Sequence, residues 1–361
     1  MASHPVPTIP PDSRARWDLT QVASFPGLRA LAWDNDVLYA SRGYSLLRGT
    51  VKAAEVEWQK IAQHRPAWWR NLSASTPLSF RLFRDGLHAL AKLPSGHLIA
   101  AAPSAILTLP PGEREFRISH TVLRGTRPLH IAAAPNGHAF WGEYFDNPNR
   151  EEVHIYASTD CGAHWEVAYT FPKGAIRHVH NIVHDPWDGG FWILTGDNGA
   201  ECRIMRASCD FRNLETVLSG NQQARAVALV PTPEALYFAS DTPLEANHVY
   251  RMDRRGARTV VADLHSSSIY GCAAGAGIFF STMVEPSEVN LERSVGIYGC
   301  RDGQHWQRVL QWKKDGWPMK WFQYGNAVLP DGQNSSGLLA VSTIATDPAN
   351  LGTTLWKTSS S

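Results

Sequence analysis

The chain has 361 residues, a net charge of +1 and 43% apolar residues. A balance so near neutrality carries no field that would draw it to nucleic acid or to an anionic membrane, and no stretch approaches the roughly 18 apolar residues of a membrane span. With 14 tryptophans, 28 glycines and 23 prolines, the composition is that of aromatic-rich strands joined by many turns, an all-β protein.

The first residues, MASHPVPTIPPDSRARW, contain no apolar run. No secretory signal is expected, residues 1–13 are expected to form a flexible tail, and a cytoplasmic location is expected. The five cysteines (Cys161, Cys202, Cys209, Cys272 and Cys300) are scattered and form no CxxC pair. That pattern fits free thiols in a reducing compartment.

From residue 28 onward one pattern recurs: an apolar strand, a tight turn, a second apolar strand. It begins with LRALAWDNDVLYASR (28–42) and returns at 87–101, 129–143, 179–197, 226–241, 271–282 and 325–343. Third strands follow, among them VHIYAST (153–159), CRIMRAS (202–208), HVYRMD (248–253), VGIYGC (295–300) and TTLWKT (353–358). Units of about 40–60 residues built this way are propeller blades. The expectation is one domain over residues 1–361, a seven-bladed β-propeller, with six blades as the alternative because the first two units are least regular. A β-sandwich would not account for seven matched units. The seventh unit ends after its third strand, so its fourth is expected from the N-terminus, near WDLTQVASF (17–25). Such closure leaves no open sheet edge.

Residues 158–165 read STDCGAHW, a shorter CRDGQHW stands at 300–306, and a remnant SCD at 208–210, each after a third strand. The first fits S-x-D-x-G-x-x-W, and the chain thereby resembles the BNR/Asp-box superfamily of sialidase-like and polysaccharide-active propellers. The resemblance implies a structural box: Asp160 bonding the amides of its own turn, Gly162 allowing the tight backbone, Trp165 packing between sheets. It also implies that the active face is the opposite one. The F-R-I-P element of sialidases has only SFRLFR (79–84) as a counterpart, so the resemblance does not extend to sialidase activity.

On that opposite face, each innermost strand starts at the mouth of the central channel. The residues there are Arg29, His88, His130, His180, Arg225, Tyr270 and Tyr324, where small apolar side chains would suffice for packing. Alternation puts His178 on the same side as His180, and Arg177 precedes them. The loops after the second strands bring Glu143, Asp197 and Asp241 at matching places, and the last unit adds Gln323 and Asn326. His97, His138 and His184 read as ordinary strand or turn residues, and Glu285, Glu288 and Glu292 as solvated loop charge.

A cationic, phenolic channel with an acidic rim suits an acidic saccharide or another small polar anion. The first expectation is a lyase acting on a uronate glycan by β-elimination, with His180, His130 and Tyr324 catalytic. The remaining mouth residues would bind substrate. One alternative is a glycoside hydrolase using a carboxylate pair such as Glu143 and Asp197; another is a non-catalytic glycan- or protein-binding propeller. No cofactor is required, though His88, His130 and His180 together could hold a divalent metal. The sequence does not determine an oligomeric state.

Overall fold

The computed structural model describes residues 17, 19–52, 55–275 and 277–358; the expected tail at 1–13 lies outside them. Seven sheets follow one another around a ring. Blade 1 is Arg29–Asn35, Val37–Arg42, Ser45–Lys52 and Glu55–Gln63, and each later blade repeats this antiparallel order from the channel outward. Blades 2 to 6 begin with Ala89–Lys92, Ala132–Ala133, Val179–His184, Ala226–Pro231 and Ser268–Ala274.

Burial explains the residue choice. Second strands such as LIAAA (98–102) and FWILT (191–195) are buried throughout, because neighbouring blades cover both faces. Outermost strands alternate, as in EVEWQKIAQ (55–63), because one face meets solvent. The buried apolar residues accordingly form clusters at the interfaces between blades, such as Phe140, Phe171, Phe191 and Met205 between blades 3 and 4.

Blade 7 closes the ring as expected. Its strands are Asn326–Val328, Leu338–Ile344 and Gly352–Lys357, and the fourth is Thr20–Pro26, antiparallel to Gly352–Lys357 from Thr20↔Lys357 to Pro26↔Gly352. Two short additions tie this blade to its neighbours. Asp331–Asn334 pairs in parallel with the inner strand of blade 1, and Thr346–Asp347 adds an edge to blade 6. Trp17 packs against Phe279, the rings tilted by 38° with centroids 5.0 Å apart.

The turn at 158–165 has the predicted local chemistry. Asp160 Oδ1 accepts from Ser158 Oγ at 2.9 Å and from the amides of Ala163 and His164 at 3.1 and 2.9 Å. Gly162 has φ of 83°, and a Cβ there would lie 2.8 Å from Thr108 Oγ1, so no other residue fits. Trp165 lies between blades 2 and 3, its indole N–H donating to Ser119 Oγ. Asp302 repeats the arrangement toward Gln304 and His305, Asp210 toward Arg212, and Asp253, which the sequence pattern did not single out, toward Arg255 and Ala257.

Helix is a further departure from the expected pattern. Between blades 1 and 2 the chain forms two short helices, Trp68–Ser73 and Pro77–Phe83, and a third, Met319–Phe322, lies between blades 6 and 7. Arg81 fastens the second helix to the segment before blade 7. It is fully buried, pairs with Asp315, donates to the Phe322 carbonyl at 3.0 Å and stacks over Trp317. The string SFRLFR thus belongs to a helix, not to a strand.

Candidate ligand site at the channel mouth

Connectivity places the start of each inner strand and the loop after each second strand on one face; the aspartate turns join third to fourth strands and lie on the other. The sequence-predicted residues on the first face separate into two groups.

The first group is Arg29, His88, His130 and Tyr270, joined by Arg127. Tyr270 lies close enough to Arg29 to favour its charged form, His130 and Tyr270 meet edge to face at 6.2 Å, and His130 Nδ1 lies 2.9 Å from Asp331 Oδ2. Burial, then the charges of Arg127, Arg29, His130 and Arg84, hold the His88 imidazole well below its usual range. Burial and Arg29 push the Arg127 guanidinium down to about 10. Both Arg29 Nε and Arg127 Nε are buried without a hydrogen-bond partner. Among the described residues no carboxylate lies within ion-pair distance of either arginine. Positive charge is therefore gathered here and left uncompensated, at a cost in stability.

Beside Arg29, between blades 7 and 1, opens a cavity of about 400 Å³. Arg42, Ser41, Thr343 and Asn350 supply its polar wall, and Phe80 of the second helix its apolar one.

The second group is His178, His180, Asp197, Arg177, Arg225 and Asp241. The pairing register of the inner strand of blade 4 skips between Val179 and Asn181. His180 is the unpaired residue of this bulge, and a bulge re-aims its side chain. His180 Nε2 comes within 3.0 Å of His178 Nε2, and both lie 3.4 Å from Asp197 Oδ1. Both histidines are buried. Burial lowers the pKa of His180. Burial opposes ionisation of Asp197, but the closeness of His178 and His180 holds its carboxyl far below the usual range. Arg177 approaches Asp197 at 3.3 Å and Arg225 at 3.5 Å, while Arg225 also approaches Asp241 at 3.3 Å. The Tyr144 ring packs against His178, tilted by 44°, with centroids 4.4 Å apart.

Several expectations are corrected here. His88, His130 and His180 do not form a metal triad: among the described residues the donors that converge are His178, His180 and Asp197. Successive blades fan their histidines around the ring, whereas two histidines on one strand share a side. Glu143 is bound by Arg124 and by the amide of His154 at 2.8 Å, and Asp197 by the histidines, so the two do not form a free acid–base pair. Tyr324 is exposed beyond the helix Met319–Phe322 and, among the described residues, pairs with neither group. Gln323 and Asn326 each keep a buried carbonyl oxygen without a partner.

Three contributors were missed. Arg127 stands three residues before His130, as Arg177 stands three before His180, so recurrence of arginine would have found it. Glu285, read as solvated charge, accepts from Ser267 Oγ at 2.8 Å and adds to the field at Asp241. Tyr144 lies in a loop without repeat register and carried no signal.

No family model matches the sequence, and no curated protein matches it. Solved structures do match in fold. The WD40 β-propeller domain of Doa1 superposes with a TM-score of 0.58 at 9% identity, over 94% of this chain and 96% of that one. A structure described as YCF48 bound to D1 peptide gives 0.55 at 12% identity, over 99% and 100%. The computationally designed protein Ika8 gives 0.52 at 8%, over 93% and 99%. What they share with this chain is the propeller. Among the described residues no helix is long and apolar enough to cross a membrane.

Proposed function

We propose that the channel mouth binds a carboxylate-bearing ligand, an acidic saccharide, with Arg29 and Arg127 as the anion-binding pair. The observation that carries this reading is two neighbouring arginines whose buried Nε atoms have no hydrogen-bond partner, with no carboxylate within ion-pair distance of either among the described residues. A ligand carboxylate would supply charge-assisted, bidentate bonds where the protein supplies none. The adjoining cavity has room for a sugar ring, with Phe80 as its apolar wall.

The chemistry that fits the group is β-elimination. The arginines would neutralise the uronate carboxylate, His88, its pKa held low, would take the C5 proton, and the C4–O bond would break as the C4=C5 double bond forms. Tyr270 would protonate the leaving oxygen. These roles pass to His88 and Tyr270 from His180, His130 and Tyr324. The likeness of the aspartate turns to those of polysaccharide-active propellers supports a saccharide.

A second reading, a non-catalytic peptide binder, is favoured by the helices on the same face, where Trp68, Trp69, Leu82 and Phe83 are exposed, and by the peptide named for the YCF48 structure. Calorimetric titration with uronate oligosaccharides and with acidic peptides, alongside ultraviolet absorbance for unsaturated product, separates the two. Arg29→Gln and Arg127→Gln should each weaken binding about tenfold or more. Product formation identifies a lyase and binding alone a binder; unchanged affinity in both variants overturns the site.

A further inference from the structure

We propose that His178, His180 and Asp197 bind one divalent first-row transition metal ion. The argument starts from hydrogen-bond direction. His178 Nδ1 lies 3.1 Å from the Phe145 carbonyl and His180 Nδ1 lies 2.9 Å from the Ala226 carbonyl. A carbonyl only accepts, so both Nδ1 atoms carry the proton and donate. In the neutral rings each Nε2 is then a lone pair. Those two lone pairs face each other at 3.0 Å, and Asp197 Oδ1 stands 3.4 Å from both. Three electron-pair donors converge in a buried place with no donor hydrogen among them. Without a cation that arrangement is repulsive.

The dimensions fit a metal. An ion about 2.1 Å from all three atoms sits roughly 1 Å off their plane, with angles near those of two histidines and a carboxylate on one face of an ion. Such a set leaves further positions for water or a ligand oxygen. The surroundings are those of a supported site: backbone carbonyls fix both histidine tautomers, and Arg177 holds the second oxygen of Asp197 at 3.3 Å. Arg177 is itself paired with Asp146 on the side away from the histidines.

The inference rests on residues other than Arg29 and Arg127 and does not depend on the reading above. The test uses the full chain without a histidine tag, stripped with chelator and titrated with Zn²⁺ and with Co²⁺. Binding of one ion per chain is expected, with ligand-field bands for Co²⁺ in the visible. His178→Ala and Asp197→Asn should each weaken Zn²⁺ binding about tenfold or more. His184→Ala, farther along the same strand, should bind as the unaltered chain does. Should a variant fail to fold, the unaltered chain still decides: its melting temperature rises with Zn²⁺ if the folded state binds the ion. The rival arrangement is a single proton shared between the two Nε2 atoms. It gives no saturable binding at one ion per chain and no melting shift, and that result, or binding unchanged in the folded His178 and Asp197 variants, overturns the proposal. Loss of saccharide or peptide binding with the metal intact would instead count only against the arginine site.

Discussion

Asp160 and Asp241 show how one residue type acquires opposite behaviour. Asp160 is partly exposed and satisfied by its own turn. Asp160→Ala should cost about 1 kcal/mol, lower the calorimetric melting temperature by roughly 2 °C, and leave ligand binding intact, because the turn lies on the far face. Asp241 is buried. Burial pushes its carboxyl up to about 7, against the pull of Arg225 and with help from Glu285 and Asp197. An unfolded aspartate titrates near 3.9. Between these values the folded chain keeps a proton that the unfolded chain has lost, so this group makes stability fall as pH rises from about 4 to about 7 and adds no slope above. Denaturant unfolding at about pH 5 and about pH 8 should show that decline, and Asp241→Asn should lessen it. Residue types at the mouth were legible because strand starts repeat. Their partners were not. Alternation put His178 beside His180, but the approach of Asp197 to both rings depends on the path of its loop, and the engagement of Glu143 depends on Arg124, from a different loop.

At the scale of elements, the hairpins were readable because turn residues and apolar runs alternate in all seven units. The helical insert was not, although Thr76 followed by Pro77 is a helix start: Thr76 Oγ1 accepts from the Ser79 amide. Its helices are short and expose apolar side chains, so no amphipathic stripe announces them. Arg81 holds the insert in place. Arg81→Ala would remove a buried cation from Asp315, the Phe322 carbonyl and the Trp317 ring, and should destabilise the chain by about 3 kcal/mol. Hydrogen exchange should quicken at 77–83 and 319–322 before it does in the blades. If exchange at both segments is unchanged, Arg81 is not the fastening.

For the molecule as a whole, blade number and closure followed from counting repeats and noticing that the last unit lacks a strand. The cross-links at Asp331–Asn334 and Thr346–Asp347 did not follow, since neither segment has a strand-like composition. Removing residues 1–26 should expose the edge of Gly352–Lys357. Light scattering should then report aggregation, and thermal unfolding should lose its single cooperative transition; a melt like that of the full chain would show that the closure is dispensable.

The same closure sets an order on biosynthesis. The amide of Ala30 bonds Thr353 Oγ1 across 323 positions. At about 5–20 residues per second, the start of the chain waits roughly 15 to 65 s on the ribosome for the partner that completes its ring. Through that interval six blades can stack while blade 7 is unmade, and a β-edge stays open at each end of the arc. A cell making this protein should rely on holding factors late in translation, and slowing elongation should lower the yield of folded chain more than it does for a protein whose contacts are local.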